Sequence, residues 1–121
     1  MIRGIGCDII EIERIERSIE RFGEHLLSRL FTGKERRIPL TRRDLSSFYA
    51  GRFAAKEALA KALGTGIGSR LSWHDMEILQ DEIGKPIVVW NSLIPHEFGF
   101  SHTYLSISHS KSHALAYAIL E

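Results

Sequence analysis

Two carboxylates and one lysine have the residue types and the spacing best suited to chemistry. Glu57 and Lys61 lie four positions apart in a segment of helical character, so both project from one face of the predicted helix. Asp8 follows a short apolar segment near the N-terminus, where a strand end can face a crevice. Carboxylates with open coordination positions suit Mg²⁺, which keeps waters and takes further oxygens from substrate phosphates. The set therefore points to a phosphate-bearing substrate.

Each of these residues also has a purely structural interpretation. Asp8 could cap the N-terminus of a helix that begins one or two residues later. Glu57 and Lys61 could form an exposed helix pair, which stabilises a helix by only about 0.2–0.5 kcal/mol. Their helix is rich in apolar residues, however, and charges on a largely buried helix need partners. The residues that share their stripe are small: Ala50, Ala54 and Ala58.

A glycine-rich segment and a histidine are weaker candidates for a phosphate site. Residues 64–68 (GTGIG) offer backbone N–H groups that could cradle an anion, or they could simply end the preceding helix. Because the segment follows a helix, it matches neither a P-loop nor a dinucleotide-binding fingerprint. His109 ends a predicted strand, where it could bind a phosphate or lie in a turn. His113 stands across a predicted hairpin from it, so the pair lacks zinc-site spacing.

Arginines recur on one side of the first predicted helix. Arg14, Arg17 and Arg21 fall within about 60° of each other on a helical wheel of ~100° per residue, roughly opposite the isoleucines. Neighbouring glutamates could neutralise them in a solvated, salt-bridged face. Alternatively, the arginines form an electropositive ridge that docks an acidic partner helix. A basic cluster follows in the sequence: Lys34, Arg36, Arg37, Arg42 and Arg43.

Composition excludes several classes of protein. The 121 residues are 44% hydrophobic and 26% charged, as in ordinary globular proteins. The net charge of +1 provides no global field for nucleic acid. Cys7 is the only cysteine, which excludes an intrachain disulfide and favours a reducing compartment. No run approaches the ~18 apolar residues of a membrane span. We expect one domain, residues 1–121, in the cytoplasm, with neither nucleic acid nor membrane as partner.

Periodicity and turn residues predict helices in the first half and mostly antiparallel strands in the second, which is an α+β fold. Helices are expected over residues 11–22, 25–31 and 44–63, the last capped by Asp44 or Thr41 and ended by Gly64. Residues 32–43 predict a turn-rich connection, and residues 91–101 a loop or one helical turn. Strands are expected over residues 2–6, 76–80, 86–90, 104–108 and 114–120.

The last predicted strand has no polar face. Ala114, Ala116, Ala118 and Leu120 point one way, and Leu115, Tyr117 and Ile119 point the other way. An antiparallel strand in a small monomer usually exposes one face to water. Either a helix layer or another subunit must cover the second face.

Three segments in order carry a family resemblance: residues 4–9 (GIGCDI), residues 52–58 with 61–67 (RFAAKEA and KALGTGI), and residues 105–109 (LSISH). Together they resemble the holo-(acyl-carrier-protein) synthases, the short class of 4′-phosphopantetheinyl transferases. The central motif is long and specific, and the match spans nearly the whole chain.

The resemblance implies an α+β fold with the helices of the first half packed on an antiparallel sheet. It also implies a homotrimer with active sites between neighbouring subunits. The implied activity is a Mg²⁺-dependent transfer of 4′-phosphopantetheine from coenzyme A to a serine of apo acyl carrier protein. This reaction releases adenosine 3′,5′-bisphosphate and supports fatty acid biosynthesis.

The resemblance also implies roles for individual residues. Asp8 and Glu57 match the Mg²⁺ ligands and form the catalytic set with Lys61, which matches a lysine beside the pyrophosphate. Glu57, directly or through a metal-bound water, is the candidate to take the serine proton. Arg14, Arg17 and Arg21 would meet the acidic recognition helix of the carrier protein. The residues expected to hold coenzyme A are Arg52, Lys61, Gly64, Thr65, Gly66, Lys85, Pro86 and His109.

Some features depart from the family's pattern, and rival functions remain. Tyr117 is large for a strand that the family places near the trimer axis, and residues 91–101 are irregular where many relatives look helical. One rival is a transferase of the same class that serves a carrier of a secondary pathway. Another is a non-catalytic module that docks acidic helices through the arginine ridge. Such a module should tolerate Glu57→Ala, whereas the enzyme should lose most of its activity.

Overall fold

The structure is a computed structural model that describes residues 1–41 and 43–121, without the side chains of residues 40 and 41. The side chain of Thr41, a predicted helix cap, and Arg42, a member of the basic cluster, therefore lie outside the described part. The elements run in the order β1 Gly4–Glu11, α1 Ile12–Leu30, α2 Gly33–Arg37, a 3₁₀ helix Ile38–Thr41, α3 Leu45–Leu63, a 3₁₀ helix Trp73–Asp75, β2 Met76–Gln80, β3 Pro86–Trp90, α4 Leu93–Phe98, β4 Thr103–His109 and β5 His113–Leu120.

The strands form two antiparallel sheets, and α3 packs across the larger one. The larger sheet has the order β1-β5-β4, and β2 and β3 form a separate hairpin. This arrangement confirms the α+β prediction. The bounds of β2 and β3 are those predicted, because alternating apolar residues and a glycine-containing turn mark both ends.

The two faces of β5 differ in their cover. Ala114, Ala116, Ala118 and Leu120 are buried, and α3 covers this face of the sheet with small residues of its own. Leu115 and Tyr117, on the other face, are 39% and 44% exposed. A helix layer therefore covers only one of the two apolar faces, and the other is not covered by this chain's described residues.

The first strand is longer than predicted, and this moves Asp8. β1 pairs with β5 from Gly4 to Glu11, with Asp8 opposite Ala116. Asp8 therefore lies inside a strand rather than after its end, and its interpretation as a helix cap is wrong. Glu11 occupies the N-cap position of α1. The residues of β1 are kept extended by pairing with β5, more than a hundred positions away in the sequence. The local sequence pattern does not reveal this pairing.

The connection between the first and third helices is more regular than predicted. Residues 32–43 were expected to be turn-rich, yet α2 and a 3₁₀ helix occupy most of them. A capping box begins α2, because the Thr32 hydroxyl accepts from the backbone N–H of Glu35 and the Glu35 carboxylate accepts from that of Thr32. The predicted break in α1 falls at Gly23, whose φ of 56° suits glycine.

Helix ends follow the expected chemistry in part. Gly64 closes α3 in a left-handed conformation, with φ of 83°, as predicted. Asp44 precedes α3 at the N-cap position, although its side chain makes no capping hydrogen bond. Residues 91–101 contain the six-residue helix α4, longer than the single turn expected. Among the described residues, no helix is long and apolar enough to cross a membrane.

Candidate active site

Asp8 and Lys61 meet where β1 lies against α3. The residues of β1 that face α3 are Gly4, Gly6 and then Asp8, so the first side chain to reach the helix is the carboxylate. Lys61 Nζ donates to Asp8 Oδ1 at 3.0 Å and to the Cys7 carbonyl oxygen at 2.9 Å. The Asp8 side chain is 17% exposed and that of Lys61 is 53% exposed. The pair therefore lies at the rim of the helix–sheet interface, with the lysine accessible to a ligand.

Glu57 lies one helical turn before Lys61 and is half-buried. Burial raises the pKa of its carboxyl group above the usual range, and the negative charge of Asp8 raises it further. The positive charge of Lys61 opposes this pKa shift. The charges of Asp8 and Lys61 therefore both act on the Glu57 carboxyl group, and Lys61 also contacts Asp8 directly.

Asp8 and Glu57 open into a common cleft of about 370 Å³ between β1, α1 and α3. Its apolar wall includes Leu30 and Phe53, and the Phe53 ring stacks on that of Trp73 with centroids 5.3 Å apart. Apolar side chains therefore line one side of the cleft that the two carboxylates share. The arrangement can bind cations or cationic groups beside an anionic substrate.

The three arginines of the predicted ridge, Arg14, Arg17 and Arg21, are all exposed, but they are not equivalent. Arg14 lines the cleft together with Asp8 and Glu57. Arg17 is bound to Glu13 across one turn at 2.5 Å, which is the salt-bridged alternative considered for this face. Arg21 lies over the ring of Phe22, 5.1 Å from its centroid. The ridge is therefore present as a surface, with Arg14 at its end nearest the carboxylates.

The glycine-rich segment continues directly from Lys61. Gly64 and Gly66 both have positive φ, and the Thr65 hydroxyl donates to the Gly66 carbonyl oxygen at 2.8 Å. Gly64 and Gly66 are exposed. The segment thus lies at the C-terminal end of α3, beyond Lys61 and outside the residues that line the cleft.

The remaining predicted ligands of coenzyme A lie elsewhere. His109 ends β4, the opposite edge strand, and two strand spacings separate it from Ile10, or roughly 10 Å. Arg52 is buried on α3 and lies over the Phe48 ring at 4.4 Å. Lys85 and Pro86 line a separate depression of about 310 Å³ with Tyr104 and Tyr117. One chain therefore does not bring these residues to the cleft.

A metal ion would find two protein ligands here. No group of three His, Cys, Asp or Glu residues that could hold a metal occurs among residues 1–41 and 43–121. Asp8 already accepts a cationic group, Lys61, and shares its cleft with Glu57. Mg²⁺ binds with one or two carboxylates when waters and substrate phosphates complete its shell. The residues present therefore fit Mg²⁺ together with a phosphate substrate, and they do not fit a cage made by protein alone.

Sequence reasoning missed a buried ion pair next to Glu57. Lys56 Nζ donates to Glu35 Oε1 at 2.7 Å, and the two side chains are 0% and 1% exposed. Lys56 also donates to the carbonyl oxygens of Leu30 and Trp73. The pair joins α3 to the segments that support the apolar wall of the cleft. The capping box at Thr32 was a local signal for the placement of Glu35, but no local signal marked Lys56 as buried.

Comparisons with known proteins show the family to which the chain belongs. The family model described as the 4′-phosphopantetheinyl transferase superfamily matches residues 4–118. The chain is 47% identical over 119 residues to a holo-[acyl-carrier-protein] synthase of Protochlamydia amoebophila, covering 98% of each protein.

Solved structures of similar proteins give the same result. A Helicobacter pylori holo-[acyl-carrier-protein] synthase in complex with coenzyme A superposes with a TM-score of 0.91 at 35% identity, over 97% of this chain and 99% of that one. The structure of a holo-[acyl-carrier-protein] synthase from Neisseria meningitidis superposes with a TM-score of 0.93 at 37% identity, over 100% of this chain and 99% of that one. The chain therefore belongs to the 4′-phosphopantetheinyl transferase superfamily.

Proposed function

We propose that the chain is a holo-[acyl-carrier-protein] synthase that transfers 4′-phosphopantetheine from coenzyme A to a serine of apo acyl carrier protein. The observation that carries the proposal is the convergence of Asp8, Glu57 and Lys61 on one edge of the sheet, in a chain of this superfamily. The similarity to a relative solved with coenzyme A supports coenzyme A as the donor. The reaction yields holo acyl carrier protein and serves fatty acid biosynthesis.

Lys61 acts on the leaving group. The serine oxygen forms a bond to the phosphorus that carries pantetheine, and the bond from that phosphorus to the bridging pyrophosphate oxygen breaks. Negative charge then develops on the departing adenosine 3′,5′-bisphosphate. The Lys61 ammonium, half exposed beside Asp8 at the rim of the helix–sheet interface, can neutralise this charge or donate a proton to it.

Glu57 accepts the serine proton in this proposal. In the metal-free chain, burial raises the pKa of this carboxyl group, which makes it a stronger base than an exposed carboxylate. The serine comes from the carrier protein. This chain therefore needs only a base and charge-neutralising groups, and no nucleophile of its own.

Asp8 and Glu57 are the proposed ligands of Mg²⁺. When bound, Mg²⁺ would neutralise negative charge on the pyrophosphate oxygens. Without it, the positive charges of Arg14 in the cleft and of Lys61 beside it are balanced by the two carboxylates, which leaves none to neutralise a pyrophosphate. We therefore propose that the transfer requires a divalent cation.

The separated ligand residues support a homotrimer. Asp8 lies on the edge strand β1, and His109 lies on the other edge strand, β4. A neighbouring copy of the chain could therefore bring its His109 close to the Asp8 of this copy. Gly64–Gly66 would hold coenzyme A from the side of Lys61, and Arg52, Lys85 and Pro86 would contribute with His109. The uncovered face of the sheet supports the same assembly. Its exposed apolar residues are Ile5, Ile9, Tyr104, Leu115 and Tyr117.

The carrier protein is proposed to dock on the ridge of Arg14, Arg17 and Arg21. Arg14 shares the cleft with the carboxylates, so a carrier bound along α1 would present its serine close to them. A docking surface of this charge favours an acidic partner helix. We propose the cytoplasm as the site of action, since the single cysteine suits a reducing compartment.

Intact-mass spectrometry tests the function directly. Apo acyl carrier protein is incubated with this protein, coenzyme A and Mg²⁺, beside a chelator control and a Glu57→Ala variant. The expected result is a mass gain of one phosphopantetheine that the chelator abolishes and the variant nearly abolishes. No gain with a competent carrier would contradict the proposal and favour a secondary-pathway carrier or a binding module. A gain that survives the chelator would contradict only the metal requirement.

A further inference from the structure

The side of β1 that faces α3 is bare backbone until Asp8. A Cβ built on Gly4 would lie 2.0 Å from the Ala62 carbonyl oxygen, and one built on Gly6 would lie 1.9 Å from the Ala58 carbonyl oxygen. Real Cβ atoms essentially never come within 3.0 Å of such an atom. The helix therefore rests against the strand backbone at a distance that only glycine permits at these two positions.

The two close contacts flank the site residues of α3. Ala58 follows Glu57 in the sequence, and Ala62 follows Lys61. At this helix–strand distance the short Asp8 side chain reaches Lys61 Nζ at 3.0 Å. A larger distance would move both Glu57 and Lys61 away from Asp8, because all three depend on the same interface.

We infer that Gly6 is a positioning residue for the transfer reaction: by letting α3 rest on β1, it fixes the separation between the Asp8 and Glu57 carboxylates. Gly4 does the same at the Lys61 end of the interface. The inference rests on the proposed function for its kinetic readout, whereas the close contacts at Gly4 and Gly6 do not depend on that function.

The expected displacement can be bounded. A methyl group at residue 6 must increase its distance to the Ala58 carbonyl oxygen from 1.9 Å to at least 3.0 Å, so the interface opens by about 1 Å. The blocking atom belongs to the backbone of α3, so no side-chain rotation can relieve the contact. A misplacement of ~1 Å can lower a catalytic rate by ~10²-fold. One additional carbon–carbon bond is ~1.5 Å long, so a longer acid at residue 8 can bridge the opened interface.

The test is a rescue experiment with three variants: Gly6→Ala, Asp8→Glu and the double variant. We expect each single variant to lower kcat by about 10²-fold, since one opens the interface and the other overfills it. The double variant should recover kcat to at least about tenfold above either single variant. KM for the carrier protein should stay near the wild-type value, because the arginine ridge is unchanged. Mn²⁺ affinity, measured with coenzyme A and without carrier, should follow the same order.

A purely structural role for Gly6 gives a different pattern. Lost stability alone would make the double variant no better than the worse single variant, and that outcome would overturn the inference. Ile78→Val, in the buried part of β2 away from the cleft, controls for reduced stability and should leave kcat within about twofold of wild type. A 10²-fold loss in this control would also overturn it.

Two further outcomes keep the test decisive. If Gly6→Ala does not fold, Gly4→Ala replaces it, because its Cβ meets the backbone of α3 at almost the same distance. Rescue by Asp8→Glu again supports the inference, and its absence overturns it. If the wild type transfers nothing, the proposed function fails, and the order of the Mn²⁺ affinities alone decides whether Gly6 positions the carboxylates.

Discussion

Lys61 Nζ lies 3.0 Å from Asp8 Oδ1, although the two residues are 53 positions apart in the sequence. The contact places an ammonium group on one of the two carboxylates that are proposed to bind Mg²⁺. A divalent cation that binds Asp8 through Oδ1 must therefore compete with Lys61. When such a cation displaces Lys61 from Asp8, the lysine is free to contact a phosphate group of the substrate.

This competition gives the first prediction, for Lys61→Met. The variant should fold, because the side chain is 53% exposed. It should bind Mn²⁺ alone more tightly than the wild type, since the competing cation is gone. Its kcat should fall by about 10²-fold or more, since the leaving phosphate loses its cationic partner.

Isothermal titration with Mn²⁺ and a transfer assay measure the two effects. Lys34→Met, an exposed lysine of α2, removes the same charge away from the cleft and serves as the control. Weaker Mn²⁺ binding in Lys61→Met than in the control would show that the lysine does not compete for Asp8.

The placement of Glu57 and Lys61, two of the proposed catalytic residues, could be predicted from the sequence because it follows from local rules. Glu57 and Lys61 share a helix face through their spacing, and the hairpin strands follow from turn residues. The meeting of Asp8 with α3 was expected only from the family resemblance. Its physical cause, the bare backbone at Gly4 and Gly6, becomes visible only when the strand and helix are seen in contact.

Tertiary contacts account for what the sequence did not show. Residues 7–11 lack an unbroken strand pattern, and their pairing with β5 keeps them extended. The Lys56–Glu35 pair was missed because charged residues are usually exposed, and nothing in the spacing indicates their burial. The predicted coenzyme A ligands were not brought together, since Lys61 and Gly64 lie at the C-terminal end of α3, His109 ends β4, and Lys85 lies in a separate depression.

The raised pKa of Glu57 gives a prediction about stability in metal-free buffer. A carboxyl group whose pKa is higher in the folded state binds its proton more tightly there than in the unfolded state. Its stabilising contribution is therefore fully present below the unfolded pKa and is lost as the pH rises through the folded pKa. We expect the wild type to lose stability relative to Glu57→Gln as the pH rises from about 4 to about 7.

Urea denaturation of both proteins across this pH range measures the effect. Glu82→Gln, on the exposed turn between β2 and β3, controls for the loss of one carboxylate. A difference between wild type and Glu57→Gln that stays constant with pH would contradict the prediction.

The buried pair gives a prediction about the fold that supports the cleft. Burial lowers the pKa of Lys56, and the adjacent Glu35 carboxylate opposes that shift. Lys56→Met should destabilise the protein by about 3–5 kcal/mol, because it leaves the Glu35 charge buried without its partner. Lys56→Met with Glu35→Leu should cost less than the sum of the two single changes, since no buried charge remains. The double variant still leaves the Ile78 N–H without its acceptor, so it should remain less stable than wild type.

Equilibrium urea denaturation of the four proteins completes this double-mutant cycle. The exposed Lys34→Met variant is the matched control for the removal of a lysine. Equal stabilities of Lys56→Met and Lys34→Met would be incompatible with a structural role for the pair, as would strictly additive costs in the cycle.

The unequal environments of the arginines on α1 predict unequal effects on carrier binding. Arg14 lines the cleft, whereas the charge of Arg17 is already balanced by Glu13 at 2.5 Å. Arg14→Glu should raise KM for the carrier protein about tenfold at low salt. Arg17→Glu should raise KM for the carrier less, because the wild-type side chain offers less free charge.

Both effects should shrink as the ionic strength passes ~0.1 M, where the Debye length is ~10 Å. Steady-state kinetics at two salt concentrations would contradict the ridge if Arg14→Glu left KM unchanged at low salt, and would contradict the ranking if Arg17→Glu had the larger effect.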